Sequence, residues 1–267
     1  MKRTLAVLAL PALLSGCPVS QNREVKIGTQ YAQQVNAELP IIADPEINRY
    51  INVIGDSIAK LTARGDLDWH FYVVDSREVN AFALPGGFVY VNRGLIERAD
   101  KMDELAGVLG HEIGHVVERH SVKEMRKAQA ANIGMVLACV LTRVCSNPAS
   151  EIAMGVGGEA IFAKFSRADE SQADAEGFSN VVQAGISPEG MVSMFQKLLE
   201  ERNKKPVFVE AWFTSHPLEE NRIAEIQAQI NAMDPAVLAS LTTDSPNFHT
   251  FKDRLQSLPP SPTPPRS

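Results

Sequence analysis

The sequence predicts an α+β fold that is mostly helical and contains one small mixed β-sheet. Three short segments rich in aromatic and β-branched residues, at 69–74, 80–84 and 88–91, are typical of strands. The turn residues Pro85-Gly86-Gly87 separate the last two. From Leu105 to Val116 the apolar residues recur instead at helical spacing, which predicts an amphipathic helix after the strands.

The composition is that of a globular protein and argues against some partners. Of the 267 residues, 45% are hydrophobic and 22% are charged, as in ordinary folded domains. The net charge of −6 argues against non-specific nucleic-acid binding, which needs basic patches. Residues 17–257 fit one large domain, and the Pro-rich segment 258–267 predicts a disordered tail.

The first sixteen residues are typical of an export signal. Lys2 and Arg3 precede an apolar run at 4–14, which is well short of the roughly 20 residues that a spanning helix needs. Small residues at the end of the segment suit a cleavage site, so we expect residues 1–16 to be removed.

Cys17 directly follows that signal and predicts a lipid anchor. The sequence LSGC at 14–17 resembles the bacterial lipobox, in which cleavage leaves the cysteine at the new N-terminus with acyl chains. Several acyl chains on one residue anchor a protein stably, whereas a single chain is marginal. Pro18 stands where Asp retains lipoproteins at the inner membrane in enterobacteria, so the outer membrane, facing the periplasm, is favoured. An ordinary secretory signal with an incidental cysteine is the alternative.

The remaining cysteines leave a disulfide open. Cys139 and Cys145 are six apart in a helix-like apolar run, about 240° from each other around a helix. Exported proteins form disulfides, but this bond requires the helix to break between the two residues.

The segment HEIGHVVERH at 111–120 indicates a metal site. His111 and His115 are four residues apart, so both imidazoles face one side of a helix and can bind a single ion. Glu112 lies about 100° from His111, where it can reach a metal-bound water without binding the metal. This is the H-E-x-x-H arrangement with the glutamate as general base, and it predicts zinc.

His120 does not fit the same site if the helix continues. It follows His111 by nine residues and faces about 180° away, so it cannot reach the metal unless the helix breaks. Metzincins do break there, but their glycine and third histidine correspond to Glu118 and Ser121 in this chain. We therefore predict a structural or surface role for His120, pointing away from the metal.

A catalytic zinc needs three protein ligands and a water, so one ligand is missing from this segment. The composition leaves many carboxylates and three further histidines as candidates, namely His70, His216 and His249. Glu170 and Asp174 lie one helical turn apart, so Glu170 could bind zinc while Asp174 orients a ligand histidine. A solvated, charged helix face is the alternative.

Four segments together, NAFALPGG, HEIGH, SRADESQAD and SHPLEENRI, resemble the M48 family of zinc metallopeptidases, a gluzincin group. The resemblance covers roughly residues 24–227. It implies a zincin-like metallopeptidase domain with one zinc ion per chain. By matching the family's motif, Glu170 is the third ligand and Asp174 supports the ligands.

The resemblance also implies roles for two later residues. His216 matches an active-site histidine that donates to the oxyanion and, in some members, is a fourth ligand that closes the resting site. A helix-capping loop histidine is the alternative. Arg222 matches an arginine that ties the surroundings of the ligands together, through Asp174.

Residues Asn80, Ala81, Phe82 and Ala83 match the family's edge strand, which can hold an extended peptide by strand addition. Such binding favours unfolded or extended polypeptides as substrates. A strand with only a structural role is the alternative.

The activity implied by the resemblance is that of compact, lipoprotein-type members. These would be zinc-dependent endopeptidases acting on unfolded or misfolded envelope proteins, with Glu112 as general base for a zinc-activated water. A non-catalytic zinc-containing chaperone or assembly factor is one alternative, and a zinc hydrolase with a non-peptide substrate is another. Retention of Glu112 beside three ligands argues against the first, and the edge strand argues against the second.

Overall fold

The computed structural model describes residues 19–128, 164–204, 206–217 and 220–261. Its elements are, in chain order, α1 (Gln21–Glu38), α2 (Pro45–Ala59), β1 (His70–Val74), β2 (Ala81–Leu84), β3 (Phe88–Asn92), α3 (Arg93–Arg98), α4 (Met102–Val117), α5 (Arg167–Gln183), α6 (Glu189–Lys204), α7 (Pro206–Ser215), α8 (Glu220–Ala232), α9 (Pro235–Ser240) and α10 (Pro246–Gln256). Residues 120–128 are also helical. The predicted mostly helical α+β fold is confirmed. The three cysteines lie outside the described residues, within which no helix is long and apolar enough to cross a membrane.

The strands form one mixed sheet in the order β1-β3-β2. β1 runs parallel to β3, and β2 runs antiparallel to it. In the predicted turn, Gly86 and Gly87 have φ of 85° and 102°, values that favour glycine. Because β3 is the central strand, β2 lies at an edge of the sheet, and no other strand of the described residues pairs with its outer side.

α4 is the central helix of the domain. It packs against α2, α5, α6 and the sheet, and every residue from Asp103 to Val116 is buried. The predicted amphipathic helix is thus buried on all its faces. Polar side chains on such a helix lie in the interior, where they need partners. For this reason His111, Glu112 and His115 are inside the protein.

Small residues let α4 and α5 cross closely. A Cβ atom on Gly114 would lie 2.6 Å from the backbone oxygen of Ala173, and one on Gly177 would lie 2.9 Å from the backbone of Gly110. Contacts this short leave no room for a side chain. The close crossing brings Glu170, in the first turn of α5, to the histidines of α4.

Replacing Gly114 with Ala is expected to destabilise the fold by about 1–2 kcal/mol. Overpacking against the Ala173 backbone outweighs the gain in helix propensity, because the backbone of α5 cannot move aside cheaply. Guanidinium unfolding of the metal-free protein measures the change. Ala175→Ser, at an exposed position of α5, is the control and should change stability by less than about 0.5 kcal/mol. Equal stabilities of the two variants would contradict the close crossing.

A buried ion cluster joins the start of α1 to the end of α4. Arg64 donates to Glu24 Oε1 at 2.7 Å and to the backbone oxygen of Val116 at 2.8 Å. Arg119 donates to Glu24 Oε2 at 2.8 Å and to the backbone oxygen of Val19. Glu24 is 1% exposed, and two guanidinium groups compensate its buried charge. We call these contacts the Glu24 clamp.

The start of the predicted tail packs against the domain instead of being disordered. Arg93 is buried and donates to the backbone oxygen of Pro259 at 2.7 Å, and the Ser261 hydroxyl donates to Asp75 at 2.6 Å. A buried guanidinium needs acceptors, and this segment supplies one. Residues 259 and 261 of the predicted tail segment are thus bonded to the domain, and residues 262–267 lie outside the described part of the chain.

Candidate metal centre

Four buried side chains each bring one atom that could bind a metal, here called a donor atom, to a common point. His111 and His115 come from α4, Glu170 comes from α5, and His216 directly follows α7. The donor atoms all lie within 4.8 Å of one another, and no residue of the four is more than 2% exposed. The structure thus brings together the three predicted ligands and His216.

The separations of these atoms are close to those of ligands around one metal ion. His111 Nε2 lies 3.0 Å from His115 Nε2, 3.4 Å from His216 Nδ1 and 3.6 Å from Glu170 Oε2. Glu170 Oε1 lies 3.4 Å from His115 Nε2 and 3.2 Å from His216 Nδ1. Bonds of 2.0–2.2 Å to a tetrahedral ion separate neighbouring ligand atoms by roughly 3.3–3.6 Å. These residues could therefore hold a metal ion.

The surroundings of His111 suit a metal ligand. Its Nδ1 lies 2.9 Å from Asp174 Oδ1, so a hydrogen on Nδ1 can donate to that carboxylate. Its Nε2 faces the other side, 3.6 Å from Glu170 Oε2. Metal-binding histidines nearly always donate the hydrogen of their second ring nitrogen to such a carboxylate.

Asp174 and Arg222 make hydrogen bonds to residues that carry the donor atoms. Arg222 donates to the two Asp174 oxygens at 2.6 and 2.7 Å and to Glu170 Oε2 at 2.6 Å. Burial raises the pKa of Asp174, but the hydrogen bonds from Arg222 and His111 outweigh it and hold that pKa below its usual value. Asp174 is therefore ionised and orients the His111 ring.

Glu112 lies beside the donor atoms without a hydrogen-bond partner. The side chain is fully buried, and neither carboxylate oxygen is bonded within the described residues. Its Oε1 lies 3.5 Å from His216 Nε2, another buried atom without a hydrogen bond there. Burial raises the pKa of the Glu112 carboxyl. Buried polar atoms usually have hydrogen-bond partners, so a carboxylate with neither oxygen bonded beside this cluster is a candidate for a role in the site.

The end of α7 fixes the position of His216. Its backbone N–H donates to the oxygen of Trp212 at 2.8 Å, and its ring stacks on the Trp212 ring with centroids 4.6 Å apart. Trp212 is itself fully buried. The imidazole thus points into the site.

His120 lies next to the site, so the predicted orientation away from it is wrong. α4 ends at Val117, and Arg119 has a φ of 59°, which turns the chain before His120. The assumption of one continuous helix therefore fails. His120 is not one of the four donors, but it is buried and its Nδ1 lies 2.9 Å from His115 Nδ1. A positive φ at arginine has no sequence signal that could have revealed this contact.

The predicted substrate strand lies at the sheet edge nearest α4. Asn80 precedes β2, and Ala81, Phe82 and Ala83 lie within it. β2 packs against α4, so the edge and the donor atoms belong to neighbouring elements.

The profile of Peptidase family M48 matches residues 45–230. The chain belongs to peptidase family M48. The matched residues run from α2 into α8 and include all four donor residues. The resemblance to M48 zinc metallopeptidases drawn from the sequence motifs is therefore confirmed.

Several relatives share this M48 region. The chain is 30% identical over 247 residues to the beta-barrel assembly-enhancing protease of Escherichia coli K12, covering 90% of this chain and 50% of that protein. The Yersinia pestis protein of the same name is 30% identical over 233 residues, covering 85% and 48%. The metalloprotease LoiP of Escherichia coli K12 is 26% identical over 209 residues, covering 77% and 80%. The chain spans about half the length of the beta-barrel assembly-enhancing proteases.

Proposed function

We propose that this chain is a zinc-dependent endopeptidase that hydrolyses unfolded or misfolded polypeptides in the bacterial envelope. The observation that carries this proposal is the buried set of four donor atoms with the unpartnered Glu112 carboxylate at its side. Membership of family M48 and the protease names of the relatives support peptide bonds as the target.

His111, His115 and Glu170 are the residues to which we assign the zinc ion. When bound, zinc lowers the pKa of a coordinated water towards neutrality and polarises a substrate carbonyl. Asp174 holds the His111 ring, and Arg222 bonds both Asp174 and Glu170. These contacts keep the ligands in position before substrate arrives.

Glu112 is the general base of the proposed reaction. Its buried carboxylate is committed to no other hydrogen bond in the described residues, so it is free to accept a proton from the attacking water. The same carboxyl then delivers that proton to the departing amine. A zinc site with only a structural role gains nothing from an unpartnered buried carboxylate, which argues against the chaperone alternative.

His216 has two roles in this proposal. At rest it supplies the fourth donor and closes the site, since all four donor residues are buried. With zinc bound, His216 Nδ1 would be a fourth ligand at rest, and a substrate carbonyl would have to take its place. Once His216 has moved, its Nε2–H is the donor that we assign to the developing oxyanion, a contact that stabilises the transition state more than the ground state.

The open edge of β2 supports extended polypeptide as the substrate class. No other strand of the described residues continues the sheet beyond β2, so a peptide strand could add to this edge through main-chain hydrogen bonds, irrespective of its sequence. Folded substrates have no free strand to offer. Asn80, Ala81, Phe82 and Ala83 are the residues that we assign to this contact.

Metal removal tests the function. We expect about one zinc per purified chain and cleavage of reduced, alkylated lysozyme, while native lysozyme stays intact. Dialysis against a chelator should abolish cleavage, and one equivalent of zinc should restore it. Zinc binding without cleavage across a range of pH would favour the chaperone alternative. Equal cleavage of both lysozyme forms would contradict strand addition.

We also propose that residues 1–16 are removed and that Cys17 carries the lipid that anchors domain 17–257 to the periplasmic face of the outer membrane. The lipobox-like sequence LSGC supports this. Detergent, but not high salt, should release the protein from membranes. Cys17→Ala should appear in the soluble fraction, and a Cys17→Ala protein that stays on the membrane would contradict the anchor.

A further inference from the structure

His120 is buried beside the candidate metal centre and has no part in the proposed reaction. Its Nδ1 lies 2.9 Å from Nδ1 of His115, the ring nitrogen that is not among the four donor atoms. Its Nε2 lies 3.1 Å from Gln172 Oε1 and 3.4 Å from Asp169 Oδ1. His120 thus connects a predicted ligand to two acceptors on α5.

These contacts determine where the ring hydrogens lie when His115 Nε2 holds a metal. His115 Nδ1 then carries its hydrogen and donates to His120 Nδ1. His120 must carry its own hydrogen on Nε2, where Gln172 and Asp169 both accept. Lys123 Nζ, 3.4 Å from Gln172 Oε1, keeps that amide oxygen turned towards the imidazole. Each ring hydrogen in this series of hydrogen bonds therefore has an acceptor.

We propose that His120 is a positioning residue that sets the tautomer and ring orientation of His115 for metal binding. This inference rests on the metal centre of the proposed function. Metal-binding histidines nearly always donate their second ring hydrogen, and His111 does so to Asp174. Phe165 stacks on the His115 ring at 4.1 Å, which fixes the plane of the ring. The bond to His120 fixes its rotation within that plane.

Two amide substitutions test the role of His120 Nδ1. In His120→Asn the amide oxygen lies two bonds beyond Cβ, as Nδ1 does in histidine, and can still accept a hydrogen bond from His115. In His120→Gln it lies three bonds away, as Nε2 does, and that acceptor is lost. We expect zinc affinity to fall about tenfold or more in the Gln variant and by less than about threefold in the Asn variant. Competition with a chromophoric chelator measures the affinity in the full chain.

The cobalt(II) form supplies a spectroscopic signature. Its visible absorption should shift in His120→Gln and match wild type in His120→Asn. His249→Gln is the matched control, because His249 is half exposed and pairs with Asp244 away from the site. This control should leave both the zinc affinity and the cobalt(II) absorption unchanged. Equal zinc affinities of the Asn and Gln variants would overturn the inference.

A measurement on the unaltered protein avoids any folding defect in the variants. Nitrogen-15 NMR of the zinc-bound chain should show His115 protonated at Nδ1 and His120 protonated at Nε2. A His120 ring protonated at Nδ1 alone would overturn the inference. A wild-type chain that binds no zinc would instead overturn the proposed function, so the two failures are distinguishable.

Discussion

Replacing Glu112 with Gln is expected to lower peptide hydrolysis by about a hundred- to ten-thousand-fold while zinc stays bound. The amide keeps the size of the side chain but cannot accept the proton of the attacking water. Because the Glu112 carboxylate is buried and makes no hydrogen bond within the described residues, its neutral replacement should also leave the unfolding temperature equal to or above that of wild type. Turnover of an unfolded substrate, zinc content and thermal unfolding measure the three effects.

Glu118→Gln provides a control for the Glu112 variant. Glu118 follows α4 directly and lies 3.8 Å from Lys123 at the surface, away from the donor atoms. Its replacement should leave turnover near the wild-type value. A Glu112→Gln variant that retained full turnover would remove Glu112 from the reaction and with it the proposed mechanism.

Replacing Glu170 with Gln is expected to weaken zinc binding by more than about a hundred-fold. Loss of a residue that hydrogen-bonds to a metal ligand lowers metal affinity by about 10- to 100-fold, and loss of the anionic ligand itself should lower it further. The amide oxygen can still accept from Arg222, which bonds Glu170 at 2.6 Å, so the metal-free fold should persist. Elemental analysis and chelator competition give the affinity, and turnover at low zinc should be lost with it.

Two further variants test whether the loss of zinc affinity is specific to Glu170. Glu176→Gln, six residues further along α5 and bonded to Asn180, should keep wild-type zinc affinity. His216→Ala should still bind zinc, because three assigned ligands remain. If loss of His216 removed zinc and loss of Glu170 did not, the ligand assignment would be wrong.

Local spacing was sufficient to predict the first half of this site. The four-residue spacing of His111 and His115 puts two imidazoles on one helix face, and this geometry holds whatever the tertiary structure. The third ligand could not be derived in the same way. Glu170 meets those histidines only because small residues let α5 approach α4, and sequence periodicity does not report the distance between two helices.

The strands, the turn at Gly86-Gly87 and the mostly helical class also followed from sequence, since β-branched runs and helical periodicity are local signals. His120 and Ser261 are different. The first was misplaced because Arg119, which is bonded to Glu24, turns the chain out of the helix, and the second packs because its hydroxyl donates to Asp75. Both depend on contacts between distant segments.

The Glu24 clamp has a consequence for the way the enzyme would stand on a membrane. The two steps from Cys17 to Val19 span at most about 7 Å, and Val19 is bonded to Arg119 at the end of α4. A lipid on Cys17, as proposed above, would therefore lie within a few ångströms of a residue that is bonded to the end of α4. If that anchor is present, a polypeptide would have to approach the membrane surface to reach the proposed metal centre.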